Sequence, residues 1–180
     1  MNMLLDLSRL RGGAGRIDRH DPPDAFESTD QDFRVAVPVV FQADVQKDRE
    51  KVRIVGRLAT ELEVPCSRCL EPYRIAVDVP VDLLFLPLTV QAAGAPEDRQ
   101  LGEDDANVSF YEDEAIDLGQ VMREQFYLAL PMKPLCREDC LGLCPVCGTN
   151  RNTSMCSCQP EWVDPRMDGL RQFREKQSKH

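Results

Sequence analysis

Residues Arg34–Pro87 read RVAVPVVFQADVQKDREKVRIVGRLATELEVPCSRCLEPYRIAVDVPVDLLFLP, and their alternation decides the fold class. Val35, Val37, Val39, Phe41, Ala43 and Val45 alternate with Arg34, Ala36, Pro38, Val40, Gln42 and Asp44. Val52, Ile54, Leu58, Leu62 and Val64 follow, interleaved with Arg53, Arg57, Glu61 and Glu63. Tyr73, Ile75, Val77, Val79, Val81, Leu83 and Phe85 then alternate with Arg74, Asp78, Pro80 and Asp82. A period of two places one apolar face on each of three strands. The connections at Gln46–Lys51 and Cys66–Pro72 are short, so neighbouring strands pair antiparallel. Pro38 and Pro80 cannot donate ladder bonds and belong at edges or bulges. Gly56 marks a bulge in the middle strand. The expected fold is α+β: an antiparallel β-meander, or a partly closed barrel, covered by one helix and followed by a cysteine-rich module and a short terminal helix.

Working outward, the second connection carries a Cys-x-x-Cys pair, Cys66 and Cys69, at a hairpin tip, where it can project without disturbing the ladder. The other six cysteines lie in CREDCLGLCPVCGTNRNTSMCSC, at Cys136, Cys140, Cys144, Cys147, Cys156 and Cys158. A two-residue gap lets a tight turn present two thiolates to one Zn²⁺. In Cys144-Pro145-Val146-Cys147-Gly148, Pro145 fixes φ after the first sulfur, and Gly148 allows the positive φ that folds the chain back after the second. Eight cysteines suit two Zn(Cys)₄ sites, all eight being candidate ligands. Cys144 and Cys147 could join Cys66 and Cys69, leaving Cys136, Cys140, Cys156 and Cys158 for a second ion. They could equally join Cys156 and Cys158, leaving Cys66 and Cys69 with Cys136 and Cys140. A single zinc with spare thiols is the third arrangement, and the sequence does not choose.

The 180-residue chain has 31 acids against 22 bases, a formal charge of −9. Glu97–Glu114 alone holds eight acids and one base. Net acidity opposes a broad electrostatic grip on nucleic acid and suits a basic protein partner or simple solubility. The opening MNMLLDLSRLRGG is interrupted by Asp6, Arg9 and Arg11, unlike a signal peptide. The longest uncharged run, Leu83–Pro96, is 14 residues and broken by Pro87, too short to span a bilayer. A cytoplasmic protein with reduced thiols is expected, where paired cysteines point to metal or redox chemistry.

The remaining segments are plainer. Met1–Leu10 fits a short strand or one helical turn. Arg11–Asp32, with Gly12, Gly13, Gly15, Pro22 and Pro23, is expected to be a mobile connector. An acidic linker covers about 87–109. Asp117–Leu130 carries Leu118, Val121, Met122, Phe126, Ala129 and Leu130 at helical spacing, with Asp117 and Gln120 as a capping box and Pro131 as the stop. Pro165–Lys179 offers a second helix bearing Arg166, Arg171, Arg174, Lys176 and Lys179, a local +3 against Asp168 and Glu175. Two domains are expected: 1–132, the meander with its helix, and 133–180, the zinc module with the terminal helix.

All-thiolate tetrahedra are closed sites, and the only histidines are His20 and His180. No phosphate-binding glycine loop or catalytic carboxylate pair is present, so no catalytic residue is assigned, and neither an organic cofactor nor a small-molecule substrate is expected.

CSRCLEPY at Cys66–Tyr73, the helix ending in LALPMKPLC, CREDCLGLCPVCGTNRN followed by CSC, and the tail DPRMDGLRQF resemble the YceD family of large ribosomal RNA subunit accumulation proteins. The resemblance implies a non-enzymatic cytosolic factor needed for 23S ribosomal RNA accumulation and large-subunit assembly. Its partner would be precursor 23S ribosomal RNA, a large-subunit particle, or a basic ribosomal protein. The other readings are a thiol redox switch that releases zinc on oxidation and a chaperone-like binder of a basic ribosomal protein.

Overall fold

The computed structural model describes residues 3–26, 32–88 and 108–159. Two compact units emerge: Met1–Cys66 with Glu71–Cys136, and Ser67–Leu70 with Arg137–His180 as far as the latter is described.

The first unit is built of two sheets with one described α-helix. Its strands are β1 (Leu4–Asp6), β2 (Ala14–Asp21), β3 (Arg34–Val35), β4 (Val39–Asp48), β5 (Lys51–Pro65), β6 (Pro72–Pro87), β7 (Val108–Tyr111) and β8 (Ala115–Asp117). The main sheet has the order β2-β4-β5-β6-β7, with β3 also paired to β5, and β1 pairs with β8 in a separate two-stranded sheet. The β4–β5–β6 meander is antiparallel, and only β7 runs parallel to its neighbour, β6. β2 and β7 do not pair, so among the described residues the sheet is open. The partly closed barrel is not what the structure shows.

The alternation is used as read. Val45, Ile54, Leu58, Val77 and Val81 are buried, while Gln42, Asp44, Arg53 and Asp82 face outward. Pro38 lies in the break between β3 and β4, which follow one another along β5. There Thr60 Oγ1 donates to Val37 O at 3.0 Å, satisfying a carbonyl the interruption would strand. Pro80 sits in β6 where β7, paired only at Leu84–Pro87, does not reach, so its missing N–H costs no ladder bond on that side.

Gly56 makes no bulge, because the β4–β5–β6 register runs through it unbroken. Its role is spatial: a Cβ there would meet Ala43 Cα at 2.5 Å and collide with Gln42 O. Of the expected connector at Arg11–Asp32, 27–31 lie outside the described residues and Ala14–Asp21 is strand β2, paired with β4 from Ala14↔Gln46 to Asp21↔Val39. Its signal was hidden because the buried positions include Asp21, 2% exposed and held by Arg19 at 2.5 and 2.8 Å, beside a single large apolar residue, Ile17. Met3–Leu10 contains both a strand and a 3₁₀ turn at Leu7–Arg9. The linker is shorter than 87–109, since Pro87 closes β6 and Val108–Tyr111 is β7; positions 89–107 and the Pro165–Lys179 helix lie outside the described residues.

Helix α1 (Leu118–Ala129) starts at the expected cap: Asp117 Oδ1 accepts from Gly119 N at 2.8 Å and Gln120 N at 3.1 Å. The reciprocal half of the capping box is replaced, the Gln120 amide donating to Glu124 at 2.9 Å. Leu118, Val121, Met122 and Phe126 join the strand side chains in one core. Phe126 is fully buried, edge-on to Phe26 at 5.5 Å and Phe33 at 5.8 Å. Burying a side chain of this size contributes roughly 1.5–3 kcal/mol.

Candidate metal centres

The hairpin frame presents the first cysteine pair. β5 and β6 close at the pair Pro65↔Pro72, Cys66 N donates to Glu71 O at 3.0 Å, and Leu70 takes φ 61°. The second pair stands in the same frame. Leu143 and Asn150 form a bridge, Cys144 N donates to Thr149 O at 2.8 Å, and Gly148 takes φ 72°. Relative to its first cysteine, each knuckle has its closing pair one residue before and six after, and its left-handed residue four after. Leu70 thus occupies the position for which Gly148 is suited, a correspondence the sequence reading missed.

The eight cysteines gather into two tetrads. The sulfurs of Cys66, Cys69, Cys136 and Cys140 lie within 4.8 Å of one another, and so do those of Cys144, Cys147, Cys156 and Cys158. Of the pairings the sequence left open, this is the one that keeps the C-terminal four together. No disulfide joins any of them. Four thiolates around Zn²⁺ at about 2.3 Å stand roughly 3.8 Å apart, a spacing compatible with sulfurs that all lie within 4.8 Å of one another. Cys66, Cys69, Cys140 and Cys144 are buried, whereas Cys147 and Cys158 are exposed. Four sulfurs complete a tetrahedron and leave no open position, which is the chemistry of a structural site.

Polar neighbours that sequence reasoning did not single out orient the sulfurs. Asn152 Nδ2 donates to Cys140 Sγ at 3.3 Å, while its Oδ1 accepts from Leu141 N at 2.8 Å and Arg137 Nη2 at 2.7 Å. Thr149 Oγ1 lies 3.1 Å from Cys147 Sγ. Arg68 Nη1 donates to Cys140 O at 2.8 Å and Glu138 O at 3.2 Å, and Leu143 N returns a bond to Arg68 O at 3.0 Å. Such partners commonly fix ligand orientation at a metal. The detectable signal lay in position, each being within a few residues of a cysteine.

Crowding separates the thiols of the C-terminal tetrad. The Thr149 hydroxyl, then its amide, hold Cys147 down to about 6. The amides of Cys147 and Val146 lower Cys144. Cys158 is pushed up to about 12, first by its hydrogen bond with Cys147, and Cys156 is raised first by Cys144. Without a cation, repulsion among close sulfurs keeps some protonated; a bound divalent ion favours the thiolate at every position. In the sheet unit, burial and then the charges of Cys66 and Cys136 push the Tyr73 phenol up.

Residues 54–174 match the family described as large ribosomal RNA subunit accumulation protein YceD. The chain belongs to the YceD family. A Mycobacterium tuberculosis protein, named only as uncharacterised, is 36% identical over 122 residues, covering 68% of this chain and 55% of that protein. A chloroplastic YCED homolog 1 from Zea mays, named a large ribosomal RNA subunit accumulation protein, is 27% identical over 147 residues, 70% of this chain and 50% of the relative. Its Arabidopsis thaliana counterpart is 26% identical over 165 residues, 81% and 51%. This YceD chain thus spans about half the length of the curated relatives it matches. No solved structure matches it. Among the described residues no helix is long and apolar enough to cross a membrane.

Proposed function

We propose that the chain is a non-enzymatic cytoplasmic factor for accumulation of 23S ribosomal RNA, and hence for large-subunit biogenesis, with one structural Zn²⁺ in each cysteine tetrad. The observation that carries this reading is the family match over 54–174, which contains all eight cysteines. The closed sulfur sets support a structural metal over a catalytic one. In this reading 1–132 is the scaffold, 133–180 is the zinc-bearing module, and the partner is precursor 23S ribosomal RNA, a large-subunit particle or a basic ribosomal protein.

Deleting the gene should lower the ratio of mature 23S to 16S ribosomal RNA and accumulate large-subunit precursors on sucrose gradients, with the native protein sedimenting beside those precursors. An unchanged ratio together with protein confined to the top of the gradient at low salt would overturn the role.

A further inference from the structure

β7 ends its sheet and β8 ends the small one, and among the described residues no strand covers the outer edge of either. A turn closed by the Glu112↔Ala115 bridge joins them, with Asp113 and Glu114 at φ 50° and 54°. Beyond this turn lies a cavity of about 610 Å³, bordered by Ser109–Asp113 in unbroken succession and by Ala115–Asp117. Successive strand residues point to opposite faces, so a cavity lined by consecutive ones follows a strand edge, where backbone N–H and C=O groups project. α1 supplies another wall through Gln120 and Glu124, and a second depression of about 360 Å³ begins at the same Ser109 and Glu124 and reaches Leu128.

The lining of the larger cavity has one sign of charge. Glu112, Asp113, Asp117 and Glu124 border it with no lysine or arginine. Apolar surface lies among them: Leu4 is 54% exposed and Phe110 41%. Such a surface repels phosphate, which excludes nucleic acid as the occupant. Residues 89–107 carry five acids against one base, so charge also opposes this chain's own linker.

We propose that the gap between β7 and β8 accepts an extended, lysine- and arginine-rich segment of a partner protein. The segment adds to the β7 edge through backbone hydrogen bonds, sets apolar side chains against Leu4 and Phe110, and directs basic ones to the four carboxylates. This supplies the surface and chemistry of one partner within the proposed role, but depends on neither metal centre.

The test uses the full-length protein and a fluorescein-labelled peptide alternating lysine and valine over about nine residues, read by polarisation. Binding is expected to fall about tenfold or more when alternate peptide amides are N-methylated, which keeps the charge but removes the edge bonds. A similar fall is expected in the exposed double variant Glu112→Lys/Glu124→Lys, while Asp44→Lys on the outer face of β4 leaves it unchanged. Equal binding of the methylated peptide would overturn strand addition, and equal loss in Asp44→Lys would reduce the effect to net charge. Competition by a single-stranded oligouridine at this site would overturn the partner class. Peptide binding is read on purified protein and the 23S:16S ratio in cells, so either can fail without the other.

Discussion

Leu70 and Gly56 show two opposite uses of small backbone features. Leu70 holds φ 61° at a position equivalent to Gly148, and its side chain is 63% exposed. A left-handed conformation costs a residue with a Cβ about 1–2 kcal/mol, whereas glycine adopts it freely but loses more chain entropy on folding. Leu70→Gly is therefore expected to leave stability unchanged or raise it by up to about 1 kcal/mol in denaturant unfolding; a clear loss would show that the side chain packs. Gly56 has no left-handed requirement but no room, so Gly56→Ala should destabilise by about 1–3 kcal/mol through overpacking between β4 and β5. A melting temperature equal to that of the wild type would show that the strands separate at little cost. The CPxCG pattern made the need for Gly148 readable. Nothing in CSRCL made Leu70 readable, because leucine has no preference for that conformation.

At the level of elements, charges on the outer faces of β3, β5 and β6 pair across neighbouring strands. Arg53 pairs with Asp82 at 2.7 and 2.9 Å, Arg57 with Asp78, and Arg34 with Glu63 at 2.7 Å. The arginine hydrogen bonds hold Asp78 and Asp82 below the usual carboxylate range. A lowered folded-state value contributes stability above the unfolded value, near 3.8, and loses it as pH falls through the folded one. Arg53→Gln/Arg57→Gln should therefore melt slightly below wild type at pH 7, and the difference should vanish well below pH 3.8; a difference that persists in acid would assign it to packing. The cap of α1 is a sharper test, since Asp117→Ala removes the acceptor for two helical amides and should cost about 1 kcal/mol in chemical denaturation. The elements that could be read in advance share one property. β4, β5, β6 and α1 are long enough for period two or 3.6 to repeat, whereas β7 and β8 have four residues and three. Strand β2 is long, yet its inward face mixes Gly15, Ile17, Arg19 and Asp21, so alternation there separates no apolar set from a polar one. The knuckles were legible one at a time from spacing; which pair meets which was not, because it depends on where the chain after α1 brings Cys136, beside Tyr73 at the start of β6.

For the whole molecule, the two units differ in what can hold them together. Every member of the apolar core belongs to the sheet-and-helix unit, and it contains no cysteine. In the second unit, the buried apolar residues among those described are Cys69, Cys140 and Cys144, while Leu141, Val146 and Met155 are exposed. A segment that buries so little cannot offset its conformational entropy without a cross-link or metal. The proposed zinc is therefore the main source of order there, and binding free energy becomes folding free energy. The protein should carry two zinc ions by elemental analysis, and Cys144→Ser should keep only the ion of the Cys66/Cys69/Cys136/Cys140 set. Hydrogen exchange should then show protection lost over 143–159 and retained in β4–β6, because Val45, Ile54 and Val81 pack without any sulfur. Full protection of 143–159 after complete chelation would mean that hydrogen bonds such as Cys144 N to Thr149 O suffice, and the structural role of the metal would fall.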